Sequence, residues 1–555
     1  MLLTKHEQNI TERLQIMDNN GYTPLRTPFT QMSFCPDIPS NALSSNEYNS
    51  GLNIECDVRG IRKIAGEEEI LGAITGNIVF FDGGFRGTEW TYIAATREGK
   101  WYKITSAGVS NITPGVGANP NVALSGYSDD VNITFSVVGS VFFINDSLRP
   151  PMYFLQSATE IYIYDQAPDN YVWNYEASIG VTAVTAAFVR NYSSPNVGNI
   201  LISGNLTKTS GGITTNYPTT IRWSQAFAVT GVPATWSPTL NNVANEQEIP
   251  VRGPIIDGFF LGANFYICSY WDTVVLSPIA YQNSTAPVFG IRLFNQGRGL
   301  LHNNCWVNTD SEVYGVDSRD IWVFDGSQFS SLGNQKVKNY FFSNLNQTYA
   351  DRIFMVNNTQ KNQVELYYPD LTSTGWCNKM ISWRYDLKLW NAPRDVANAC
   401  MATEAPVYSG SAFNYASRTV SYARGSVSGS RMRQTNITNG FAGSAIPALF
   451  ERTNATLQTG EGPVPYSAKV YVHRILPEVI GSGTINITVG GANSAAQTPT
   501  YGQKATVSVV TDNPWVTTQQ NTVRTMAVKI ESNDATDTWN VPALNWQATI
   551  TEDAY

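Results

Sequence analysis

Few side chains in this sequence stand where chemistry could be done. Three histidines, His6, His302 and His473, lie far apart, and none is at metal-ligand spacing from another or from a cysteine. His473 sits in the alternating run Val470-Tyr471-Val472-His473 and reads as a strand residue on a solvent face. No phosphate-binding loop, nucleophile elbow or H-E-x-x-H pair occurs. Carboxylates cluster at Glu67-Glu68-Glu69 and at Asp129-Asp130. Adjacent carboxylates do not face one another across a glycosidic bond, so they read as solvated loop charge. A sialidase-like site would come with a repeated Ser-x-Asp-x-Gly-x-Thr-Trp turn, which the segment from Asp82 to Trp90 imitates poorly and once. The densest basic set is Arg418, Arg424, Arg431 and Arg433, with Tyr415 and Tyr422 nearby. Such a set could touch nucleic acid; a contact loop between subunits or domains is the simpler reading. The expectation is no catalytic residue, no metal site and no cofactor.

The elements that would position these residues are strands. Of 555 residues only 14% are charged, against roughly 25% in an average soluble protein. Aromatics make up 12% and hydrophobics 42%, enough for large cores. Asn, Ser, Thr and Gly replace the missing charge, which suits strands and turns. The net charge of −8 argues against a surface that grips phosphate backbones throughout. No stretch approaches the roughly 20 apolar residues of a membrane span. The first sixteen residues lack an apolar signal core, so the chain is expected to fold in a cytoplasm, without a membrane anchor. Its six scattered cysteines then read as buried small hydrophobes.

Leu3, Ile10, Leu14 and Met17 share one helical face and predict a short N-terminal helix, followed by an extended docking segment to about residue 70. From residue 71 to 402, short alternating runs close on Asp-initiated turns. Examples are Ile78 to Gly83, Ile161 to Asp165, Ile321 to Gly326 and Ile381 to Asp386. They recur loosely every 50–60 residues or so, as the blades of a β-propeller do. About six irregular blades are expected, with a set of β-sandwiches sharing turn chemistry as the competing reading. Residues 403–460 are rich in Gly, Ser and Arg and read as a connecting segment. Residues 461–555 alternate again at period 2, from Ser467 to Ile550, and predict a β-sandwich platform. The fold class expected is all-β.

Three stretches resemble the nozzle proteins (tail tubular protein B) of short-tailed bacteriophages and, more distantly, their packaged-DNA stabilisation hub proteins. Pro36-Asp37-Ile38-Pro39, Asn53-Ile54 and the run Val58 to Lys63 are similar to the extended lead into that family's first blade, one residue shorter before Arg62-Lys63. The run Val313 to Gly326 (VYGVDSRDIWVFDG), following Asn295 to Gly299, resembles a blade signature. Trp383-Arg384-Tyr385-Asp386 with Leu389-Trp390 resembles another. The resemblance implies a non-enzymatic virion protein, assembled in the host bacterial cytoplasm. It would form a homohexameric ring on the head-to-tail adaptor, contact tail fibres or spikes, and retain and conduct double-stranded DNA without sequence specificity. The acidic groups Glu67, Glu68, Glu69, Asp129 and Asp130 are then expected to line the lumen, and Arg418, Arg424, Arg431 and Arg433 to lie at interfaces. The alternative is a tail spike or propeller glycosidase that binds or cleaves host polysaccharide.

Overall fold

The computed structural model describes residues 23–115, 124–166, 168–279, 288–425, 432–455, 457–459, 462–463, 467–494, 497–509, 515–517 and 522–552. The expected N-terminal helix and Arg431 lie outside the described residues. The fold is nearly all β. Five successive four-stranded antiparallel sheets run from Ile78 to Ser331, each built from strands consecutive in sequence, and an eight-stranded sheet follows. The strand Arg394–Tyr408 divides that last sheet. Its first residues pair with Cys377–Arg384, a bulge follows at Ala399/Met401, and its second half pairs with Phe413–Arg424. Met432–Thr435 continues the sheet, and Glu67–Ile70, some 360 residues earlier in the chain, is its outermost strand.

The strands Ile78–Arg86, Thr134–Val138, Val181–Ser194, Ile255–Leu261, Trp306–Asn308, Phe354–Asn358 and Arg394–Tyr408 converge on a common axial cavity. Antiparallel sheets arranged radially about such a cavity form a β-propeller. Local chemistry explains the repetition. After Ile321–Phe324, the Asp325 carboxylate accepts the backbone N–H groups of Ser327 and Gln328, both at 2.8 Å, and Gly326 takes φ 90°. Asp165 likewise accepts from Trp173 N–H at 2.8 Å. Asp82 departs from this pattern: the strand runs on to Arg86, and Asp82 sits within it. Asp-Gly reads as a turn, but here Phe80, Phe81 and Gly84 are buried on both sides of Asp82 and pairing with Glu89–Thr96 continues through it.

Residues 23–63 do not form a separate segment. Thr23–Pro28, Ile54–Asp57 and Gly60–Lys63 join a six-stranded sheet with Ala468–Ser482 and Thr538–Glu552. Ser50–Leu52 joins a second six-stranded sheet with Ile446–Ala455, Thr525–Asp534 and Thr484–Ala492. Residues 403–460 also differ from the expected connector, since they carry the strands Phe413–Arg424, Met432–Thr435 and Ile446–Ala455. Ser409, Gly410 and Ser411 there sit exposed at the hairpin turn, while Val420, Ser421, Tyr422 and Met432 are buried. One continuous core runs from Val472, Ile487, Ile530 and Trp546 through Phe29 and Tyr48 to Trp390, Ile381 and Phe324 in the propeller. A short helix, Lys338–Asn344, buries Phe341 against Tyr368 at 5.1 Å. Among the described residues no helix is long and apolar enough to cross a membrane.

Candidate functional site

The acidic run and the arginine cluster, remote in sequence, meet each other. Strand Glu67–Ile70 lies beside Met432–Thr435, with Glu67 opposite Thr435 and Glu69 opposite Arg433. Glu67 is buried at 1% exposure. Its carboxylate accepts from Arg394 at 3.1 Å, from Arg433 at 3.3 Å and from the Tyr422 hydroxyl. Burial, with the Glu67 charge beside it, pushes the Tyr422 phenol well above its usual range. Arg433 also reaches Glu69 at 3.4 Å, and Arg424 lies 3.9 Å from Glu69. Arg418 pairs with Glu404 at 3.4 Å. Glu67 therefore does not line a lumen: it fastens the early strand to the last sheet. Asp129 pairs with Arg97. Glu68 and Asp130 are exposed and have no ion pair among the described residues; Asp130 borders a narrow cavity of about 40 Å³ with His302, Asp351 and Arg352. Burial holds the His302 imidazole below its ordinary pKa.

The stretches that carry the resemblance are also held by ion pairs. Arg298 bridges Asp317 at 3.0 Å and Asp320 at 2.9 Å, locking the run Val313 to Gly326 onto the preceding sheet. Lys63 is buried against Asp537 and donates to the Asp534 carbonyl at 2.6 Å.

The axial cavity is a concavity with convergent polar groups. It comprises about 540 Å³ and an adjoining 230 Å³ that share Gly83, Val137, Arg190 and Trp306. Arg190 holds Asp257 in a two-pronged pair at 2.9 and 2.5 Å. Asp257 also accepts from the Trp306 indole at 2.8 Å, and Arg190 donates to Asn304 at 2.9 Å. The guanidinium lies 5.1 Å from the Trp306 ring centre. With both its oxygens engaged, Asp257 is unavailable as a base. Glu404 is engaged too, accepting from Thr359 N–H at 2.6 Å and its hydroxyl at 2.7 Å. Asp82 is different. It accepts from Gly83 N–H at 2.7 Å and from the Thr403 hydroxyl, no cation lies within ion-pair reach among the described residues, and burial pushes its pKa up to about 6. A carboxylate without a cation partner keeps acceptor capacity for a ligand; glycoside hydrolysis uses two.

Sequence reasoning missed Arg190, Asp257, Trp306 and the role of Asp82. The available signal was a carboxylate followed by two glycines inside an apolar strand, a pattern shared with ordinary turns. Arg190 and Asp257 are 67 residues apart and carry no local signal of pairing.

No family model and no curated protein matches this chain. Among solved structures, the crystal structure of BBS1N in complex with ARL6DN aligns with a TM-score of 0.36 at 9% identity, covering 68% of this chain and 96% of that one. A superposition at that level decides nothing about fold or function here.

Proposed function

We propose that this chain is a structural subunit of a short-tailed phage tail, of the nozzle type that its sequence resembles. In this reading its propeller has seven blades rather than about six. The division of the eight-stranded sheet at Ala399/Met401 supports that count, giving two blades that share Arg394–Tyr408. The second is completed by Glu67–Ile70, so the clasp on Glu67 is the closure of the ring of blades. The two six-stranded sheets that share one core support a β-sandwich platform, built from residues 446–552 together with 23–63.

The observation that carries a ring-forming role is the long third sheet. Val181–Ser194, Gly198–Ser210 and Ile213–Trp223 have 14, 13 and 11 residues. The fourth strand covers only Thr220 to Trp223. Residues 213–217 are exposed throughout and extend the hairpin by about 17 Å at about 3.4 Å per residue. Ile213 at its tip is 71% exposed, Ile179 in the turn before Val181 is 76% exposed, and Tyr217 farther along the extension is 39% exposed. An apolar-tipped arm projecting from a rigid body gains by packing on another subunit. Six copies would enclose a bore for DNA, distinct from the axial cavity that Arg190 and Trp306 narrow. Glu68 and Asp130 remain the acidic candidates for that bore. The adaptor and the fibres or spikes would then bind the platform and the rim.

Mass photometry and electron imaging of the full chain, alone and with particles it co-purifies with, test this. A six-copy ring is expected, and Ile213→Asp with Tyr217→Ser is expected to leave the fold intact and disperse the ring. A stable monomer, or a trimer unaffected by those changes, would overturn the reading.

A further inference from the structure

Three of the six large aromatic residues exposed on the described surface gather at one place. Phe85 lines the larger part of the axial cavity, Phe260 lines the smaller part, and Tyr415 packs against Phe85 with ring centres 5.6 Å apart. Their exposures are 39%, 44% and 49%. Exposed rings cost solvation unless something covers them, and a cluster around a cavity mouth calls for an occupant. Inside the mouth stand the Asp82 carboxylate, which has no cation partner among the described residues, and the side-chain amides of Asn191 and Asn357, which are without hydrogen bonds among those residues. The volume falls within the range of small-ligand sites.

Flat apolar faces beside planar hydrogen-bonding groups suit a ring with one C–H-rich face and hydroxyls at its edge. We propose that the axial cavity is a binding site for a neutral saccharide of one or two rings, stacked on Phe85 and Phe260, with its hydroxyls donating to Asp82 and bonding the Asn191 and Asn357 amides. An organic cation is the competing occupant of an aromatic-rimmed site with one carboxylate that has no cation partner among the described residues. The Arg190 guanidinium in the cavity wall, already on the Trp306 ring, disfavours it. Asp82 supports a binding role from another side: a half-buried carboxylate held up near 6 by desolvation opposes folding at neutral pH, and such groups concentrate at functional sites. The site does not depend on ring assembly and stands whether or not six copies associate.

The test is ligand-observed saturation-transfer NMR on the full chain, using glucose, galactose, N-acetylglucosamine and maltose, with choline as the cationic probe. Saturable transfer from at least one sugar and none from choline is expected. Phe260→Ala and Asp82→Ala should each weaken binding tenfold or more, while Trp271→Ala, which alters an exposed ring that does not line the cavity, should change it less than twofold. Phe260 is exposed, so its loss does not threaten the fold. Circular dichroism would verify that the Asp82 variant remains folded. Absence of transfer from every sugar, transfer from choline alone, or sugar binding indifferent to both Phe260→Ala and Asp82→Ala would overturn the proposal.

Discussion

Replacing Glu67 by Gln should open the junction between the earliest propeller strand and the last, and little else. The substitution keeps the shape of the side chain and removes the charge that two guanidinium groups share. Arg394 and Arg433 have side-chain exposures of 5% and 11%, so neither can recover full hydration without local opening. Breaking one partner out of a buried ion pair costs about 3–5 kcal/mol. Gln still accepts one hydrogen bond, which places the change at the lower end, about 3 kcal/mol. At about 1.4 kcal/mol per decade, that corresponds to roughly a hundredfold in the local opening equilibrium. Hydrogen exchange read by mass spectrometry measures this directly, because a chain of this size need not unfold in one step. Peptides covering 67–70 and 432–435 should exchange about a hundred times faster than in the parent, with Thr525–Asp534 unchanged. Less than a threefold change in the clasp peptides would refute the reasoning. Equal acceleration in the C-terminal sheets would refute it too, since the defect would then be global.

Three other outcomes follow from buried groups. Asp82 has its pKa raised from an unfolded value near 3.9 to about 6, so between those pH values the native state holds a proton that the unfolded chain has lost. Stability from this group therefore falls as pH rises through about 4 to 6, by about 1–3 kcal/mol; Asp82→Asn should raise the melting temperature at pH 7.5 and leave it unchanged at pH 4, and a lower value at pH 7.5 would count against this. All six cysteines are buried, and burial pushes Cys35, Cys56, Cys268 and Cys305 up to about 12; native protein should resist iodoacetamide at pH 8 while all six thiols alkylate in urea. Lys63→Met strands Asp537 in the core and should cost about 3–5 kcal/mol, with part of the lost denaturation midpoint regained when Asp537→Asn is added.

Alternation and turn chemistry were the readable part of the fold. Ile321–Phe324, Cys377–Arg384, Thr484–Ala492 and Thr525–Asp534 all fall on the alternating runs that predict strands. What could not be read is which strand a given strand pairs with. Glu67, Glu68 and Glu69 look like loop charge because the cations that neutralise Glu67, Arg394 and Arg433, are more than 320 residues away. The segment 403–460 reads as a connector because its long hairpin buries small and polar residues such as Ala423 and Ser421 beside Tyr422 and Val420, a weak hydrophobic signal. The helix Lys338–Asn344 is too short to show a period, although Val337, Phe341 and Leu345 are four apart and buried. The axial site was hidden for the same reason as the clasp, since each lining strand contributes only a few residues.

These pairings constrain how the chain can fold. Thr23–Pro28 is held by Thr538–Glu552, and Glu67–Ile70 by Met432–Thr435, so an early stretch supplies strands to both bodies that later residues complete. Closing contacts across some 500 residues costs little more entropy than closing across half that distance, because the penalty grows only with the logarithm of loop length. It does delay them, since non-local pairings form late. The sheets of consecutive strands from Ile78 to Ser331 need only local contacts and can form first. Residues 23–70 then lock last, once the C-terminal sheets exist to receive them. The buried ion pairs of Glu67 and Lys63 stand at these two late junctions. Their charges are stable only when both partners are present, so each penalises a half-closed state more than an apolar contact of the same size would. Closure is thereby coupled to completion of the fold.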